Sequence, residues 1–78
     1  MVKIKHIYIG RFKIIGAVNH YDDKASEIRG SHTLLYGKNM NDDSAVMYYL
    51  YKDKEPECSQ EMTEYERIGL KELARKYA

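Results

Sequence analysis

Apolar and polar positions along this chain first alternate, then slip, and finally take up a helical period, and that pattern orders its elements. Val2–Ile9 (VKIKHIYI) is rich in β-branched residues and starts in alternation, Val2 and Ile4 against Lys3 and Lys5. The alternation slips at His6-Ile7, which predicts a bulge or a strand apolar on both sides. Gly10-Arg11 follows, and Phe12–Val18 (FKIIGAV) is strand-like again. Two strands joined by a two-residue link containing glycine read as a hairpin.

Asn19–Gly30 (NHYDDKASEIRG) changes character. Asp22 or Asp23 is a suitable cap for a short helix through Ile28, ended by Gly30, and a long loop fits the same residues nearly as well. Ser31–Tyr36 predicts a third strand, with Gly37–Asp43 (GKNMNDD) as the turn after it. In Ala45–Lys52 (AVMYYLYK) a strand would put Ala45, Met47, Tyr49 and Tyr51 on one face and Val46, Tyr48 and Leu50 on the other. A helix capped by Ser44 would instead align Val46, Tyr49, Leu50 and Asp53; the Val and Tyr content favours the strand. Asp53–Glu57, with the sole proline Pro56, marks a loop.

The clearest helix is C-terminal. Ser59 suits its N-cap, and Thr63-x-x-Glu66 offers a capping box one turn later. Glu61, Glu64 and Glu66 come early and Arg75 and Lys76 late, as the helix dipole favours. Met62, Leu70, Leu73, Ala74 and Tyr77 fall on one apolar arc, with Ile68 opposite; Gly69 inside the helix costs about 1 kcal/mol. The expected fold is α+β in a single domain, 1–78. Its order is ββ-(α or loop)-ββ-α, a small four-stranded antiparallel sheet with the C-terminal helix packed on one face.

Composition changes the picture in one respect. The chain has 78 residues, with eight tyrosines, one phenylalanine and no tryptophan. Aliphatic residues are few, so tyrosine rings must join the core with their hydroxyls at its edge. Cys58 is the only cysteine, which excludes an intrachain disulfide and a multi-cysteine zinc site; it reads as an inert thiol near a helix start. No run of 18 apolar residues occurs, so no membrane span is expected, and a reducing, cytoplasmic compartment is the default.

The expected sheet is about 19 Å wide and one helix with its side chains only about 10–12 Å. One helix can therefore cover one face but not both. The second and fourth strands are nevertheless apolar on both sides. This mismatch predicts a sheet face that buries against another protein, a copy of itself or a different target. Its expected residues are Met47, Tyr49 and Tyr51, or Tyr48 if the strand faces the other way, with Glu55 and Glu57 at the rim. Tyrosine and methionine enrichment is also characteristic of protein interfaces.

Charge divides by position. Residues 1–18 carry Lys3, Lys5, Arg11 and Lys13 and no acid, whereas residues 42–66 carry eight acids against Lys52 and Lys54. With Tyr8 and Phe12 interleaved, the basic hairpin suggests an alternative, a small nucleic-acid-binding protein using Lys3, Lys5, Tyr8, Arg11 and Lys13. A net charge of only +1 weakens that reading. The acidic 53–66 stretch would steer the chain towards a basic surface, including one that normally holds nucleic acid.

Chemistry-bearing patterns are sparse. The histidines at 6, 20 and 32 fall on different elements. His20 with Asp22 and Asp23 reads as a hydrated loop more readily than as a metal site. Asn39, Asn41 and Asp43 mimic the start of a calcium loop, but Ser44 stands where glycine is needed and Leu50 where the bidentate acid belongs. Ser31 and His32 are adjacent, so in a strand they point to opposite faces and form no dyad. No phosphate-cradling glycine motif is present. The expectation is a non-enzymatic protein-binding module without metal or cofactor, a regulator or inhibitor of a larger intracellular complex, such as a nucleic-acid-handling one. Tiny size, a single domain and a surface rich in tyrosine resemble compact accessory proteins of phages and mobile elements, a likeness of general character rather than of motif.

Overall fold

Strands β1 (Val2–Ile9) and β2 (Phe12–His20) form the hairpin, paired from Ile9↔Phe12 to Val2↔Ala17 around the Gly10-Arg11 turn. The computed structural model describes residues 1–78 except the side chain of His6, so the histidine read at that position lies outside the described residues. The slip in β1 is real: its register shifts between Lys3 and Ile7. Ile7 thereby returns to the face that buries Ile4 and Ile9. A second irregularity in β2, between Ile14 and Gly16, keeps Ile14 and Ala17 inward while Ile15 stays exposed.

The chain continues through α1 (Lys24–Arg29), β3 (His32–Asn39), β4 (Ala45–Tyr51), β5 (Glu57–Cys58) and α2 (Glu64–Lys76). The strands make one antiparallel sheet in sequential order, β1-β2-β3-β4-β5. Residues 24–29 are a short helix with Asp23 as N-cap and Gly30 as C-cap. Ala45–Tyr51 is a strand, as its Val and Tyr content predicts.

Two expectations are corrected. The sheet has five strands rather than four: after Pro56, Glu57 and Cys58 pair with Tyr49 and Tyr48. Two polar-flanked residues give no periodicity, so only pairing reveals them. Nor does Ser59 cap the C-terminal helix. Its amide donates to the Met47 carbonyl at 2.9 Å, and its hydroxyl accepts from the Met47 amide at 2.9 Å, which extends the β4–β5 ladder. The helix starts one turn later, from the Thr63–Glu66 capping box.

Leu70, Leu73 and Ala74 of α2 pack on Phe12, Ile14, Ala17, Leu35, Val46 and Tyr48, with Met62 and Tyr77 at the margin. Gly69 has a local reason: a Cβ there would lie 2.8 Å from Ile9 Cγ2, so the missing side chain lets the helix approach β1. No helix among the described residues is long and apolar enough to cross a membrane.

Tyr48 lies on the helix-covered face at 1% exposure, not on a docking surface. Even register decides this, because Tyr48 is the Cα partner of Leu35, which is in the core. Its buried hydroxyl has no hydrogen-bond partner among the described residues. Burial also pushes its pKa up to about 12. A buried unsatisfied hydroxyl costs about 1–3 kcal/mol, partly offset by the packing of the ring that carries it. Tyr48→Phe should therefore leave thermal stability unchanged or raise it by about 1 kcal/mol. A loss larger than that on calorimetry would show that the hydroxyl is bonded.

Candidate protein-docking face

The face away from α2 is built from the alternate residues of the five strands, and the registers arrange it in rows. The first row runs Tyr8, Lys13, Lys38, Ala45; the next Lys3, Gly16, Tyr36, Met47. The third runs Val18, Leu34, Tyr49, Glu57, and the last His20, His32, Tyr51. Tyr8 is 53% exposed, Ile15 45% and Met47 41%, and around them Val18, Leu34, Tyr36 and Tyr49 are half-buried.

The middle segment does not seal this face. None of the residues of α1 is buried, and Ile28 is 82% exposed. Arg29 alone reaches over the sheet. Its guanidinium lies 4.1 Å from the centre of the Tyr49 ring, and Nη1 donates to the Tyr51 hydroxyl at 3.0 Å. Tyr51 in turn donates to Glu57, which Arg29 approaches at 3.5 Å. Burial first, and then the hydrogen bond to Glu57, raise the Tyr51 pKa, so the phenol remains a neutral donor. Lys54 caps the Tyr51 ring from 4.2 Å.

Aromatic contacts continue along the last row. Tyr49 and Tyr51 stack with centroids 6.1 Å apart, His32 lies 5.6 Å from each, and His20 5.0 Å from His32. His32 Nδ1–H donates to the Gly30 carbonyl at 2.8 Å, while Ser31 Oγ donates to the Tyr21 carbonyl at 3.4 Å, so the two side chains serve separate turns. His20 pairs with Asp23 at 2.6 Å, and this bond, with the Ser26 amide, holds the Asp23 pKa below the usual range. No group of three or more metal-ligating side chains occurs among the described residues.

Of the residues expected at an interface, Met47 is exposed, Tyr49 is half-covered by Arg29, and Tyr51 is buried in the aromatic row. Glu55 is exposed in the β4–β5 loop, and Glu57 is committed to Tyr51 and Arg29. Of the basic hairpin, Lys3, Tyr8 and Lys13 occupy the helix-free face, and Lys5 is exposed. Arg11 does not join them. Its side chain turns to α2 and forms a two-pronged pair with Glu66, Nη2 to Oε1 at 2.8 Å and Nε to Oε2 at 3.0 Å. Lys38, Leu34, Tyr36 and Arg29 complete the face although sequence reading did not single them out; each becomes a neighbour only once register is known. Cys58 sits beneath α2, where burial pushes its thiol pKa up and disfavours the thiolate. No family model matches the chain, and no curated protein or solved structure matches it.

Proposed function

We propose that this chain is a small non-enzymatic binding module that docks a partner protein on its helix-free sheet face, in the manner of a regulator of a larger assembly. One observation carries the reading: Tyr8, Ile15 and Met47, each more than 40% exposed, share with half-buried Val18, Leu34, Tyr36 and Tyr49 a face that α1 leaves open. Contiguous apolar and aromatic surface of this kind marks interaction sites, and aromatic residues and methionine dominate their centres. The row Tyr8–Lys13–Lys38 supports a second reading, single-stranded nucleic acid stacking on Tyr8 against lysine-bound phosphates.

Affinity capture tests the docking face. Met47→Asp or Tyr8→Ala should reduce capture of the partner at least about fivefold, since central interface residues cost more than 1 kcal/mol on truncation. Tyr65→Asp, at an exposed position on the outer side of α2, should leave capture unchanged. Capture that ignores Met47 and Tyr8 but is lost with Tyr65 would move the interface to the helix.

A further inference from the structure

We propose that Lys13 and Lys38, with Lys3 in the adjoining row, form a carboxylate-binding row on the helix-free face, so that the partner segment docking there is acidic and apolar. This rests on the docking face and names the chemistry of its occupant. Lys13 and Lys38 are Cα partners on neighbouring strands. Side chains opposed in this way have Cβ atoms about 5 Å apart, and like charges at such positions destabilise a sheet. Lys38 has partial relief from Asp43 at 3.3 Å, but Asp43 is 80% exposed and that pairing is weak.

Lys13 makes no ion pair among the described residues, and its Nζ lies 6.0 Å from the centre of the Tyr8 ring. Lys3 stands opposite Gly16 one row further on. Glu57, the acid in the third row of this face, is held by Tyr51 and Arg29 at the far end. Two lysines opposed at half-exposed positions are a departure from local consistency of the kind that accompanies function. Carboxylates from a partner would relieve their repulsion.

The same geometry favours a protein segment over a nucleic acid. Base recognition on a sheet uses several open ring faces. Arg29 covers Tyr49, Lys54 covers Tyr51, and Tyr36 lies across Gly16 with its hydroxyl 3.0 Å from Met1 Sδ. Tyr8 alone remains as a platform. Near the lysines lie Ile15 and Met47, with Leu34 one row further on, and these suit the apolar side chains of a peptide.

The test titrates the full isotope-labelled chain with a short peptide alternating Glu and Leu, its Lys–Leu counterpart, and an oligothymidylate, at low and high salt. The Glu–Leu peptide should shift the resonances of Tyr8, Lys13, Lys38 and Met47, and raised salt should weaken it. Lys13→Glu should weaken that binding about tenfold, the scale of a close charge pair at an interface, while raising the thermal midpoint, because the opposed lysines become an opposite-charge pair. Loss of binding then cannot be attributed to unfolding. Equal binding of the Lys–Leu peptide, no response to the Glu–Leu peptide, or indifference to Lys13→Glu overturns the lysine row and leaves the docking face to its own test by capture. Shifts with oligothymidylate alone would assign the face to nucleic acid. Self-association abolished by Met47→Asp would assign it to a second copy. Either result overturns the acidic segment.

Discussion

Replacing Glu66 with alanine should destabilise the protein by about 2 kcal/mol, because the buried carboxylate leaves the Arg11 and Thr63 amides without their acceptor, while the Arg11 side chain, 38% exposed, regains water. The Glu66 side chain is 1% exposed and accepts from the Arg11 amide at 2.8 Å, the Arg11 guanidinium through both Nε and Nη2, and the Thr63 amide at 2.9 Å. Its own amide donates to the Thr63 hydroxyl at 3.1 Å, closing the capping box. One carboxylate therefore fastens the β1–β2 turn to the start of α2.

Hydrogen bonding from Arg11 outweighs burial and lowers the Glu66 pKa to about 2 from the usual 4.5. A carboxylate whose pKa is lower in the folded state contributes stability that is complete above the unfolded value and disappears as pH falls through the folded one. The parent protein should accordingly lose stability from this group between about pH 4.5 and pH 2. Glu66→Ala, having nothing left to titrate at 66, should be flatter over that window. Urea denaturation at neutral pH and at the acid end of the window measures both effects. A difference between the two proteins that stays constant with pH would mean that the pair with Arg11 does not form.

Much of the architecture was legible because local signals agreed with one another. The slip at His6-Ile7, the Val and Tyr content of Ala45–Tyr51 and the apolar arc of the last helix each agree with the fold, although Met62 of that arc lies ahead of the helix. Asp23 was legible as one of two candidate caps and Thr63 as the second candidate after Ser59, because a cap is a local hydrogen bond. What stayed hidden depends on partners distant in sequence. Ser59 has the chemistry of a cap, yet Met47, twelve residues away, supplies its bonds. Arg11 reads as one more free cation of a basic hairpin until Glu66, fifty-five residues on, withdraws it.

The candidate site divides in the same way. A helix narrower than the sheet predicts an uncovered face, and Met47 and Tyr49 fall on it through simple alternation. Tyr48 and Tyr49 are adjacent tyrosines with opposite roles, and composition cannot separate them; the pairing of Tyr48 with Leu35 does. Lys13 and Lys38 reveal their opposition only through the register of β2 on β3, which in turn passes through an irregularity. Charge counted along the chain placed the basic character in the hairpin, whereas in space Lys38 of β3 belongs to it as fully as Lys13.

That register depends on Gly37, and Gly37→Ala should be among the most damaging single changes, costing about 3 kcal/mol, at the upper end for overpacking. A Cβ at position 37 would collide with the Lys13 carbonyl oxygen and stand 2.9 Å from Ile14 Cα. These are backbone atoms of the neighbouring strand, so no rotamer change relieves the clash. Gly37 pairs with Ile14 and Val46 where β2 starts its irregularity, and the close approach there is what allows Ile15 to stay exposed while Ala17 returns inward. For a domain of this size, 3 kcal/mol corresponds to a fall in the thermal midpoint on the order of 15 °C. Because a shift of one residue sends side chains to the opposite face, any surviving fold should also lose the opposition of Lys13 and Lys38. Thermal denaturation, with cross-strand proton contacts between residues 13 and 38, reads both consequences. A Gly37→Ala protein within about 0.5 kcal/mol of the parent, the range of an ordinary surface substitution, would show that β2 and β3 do not approach this closely, and the lysine row would have to be rebuilt on another register.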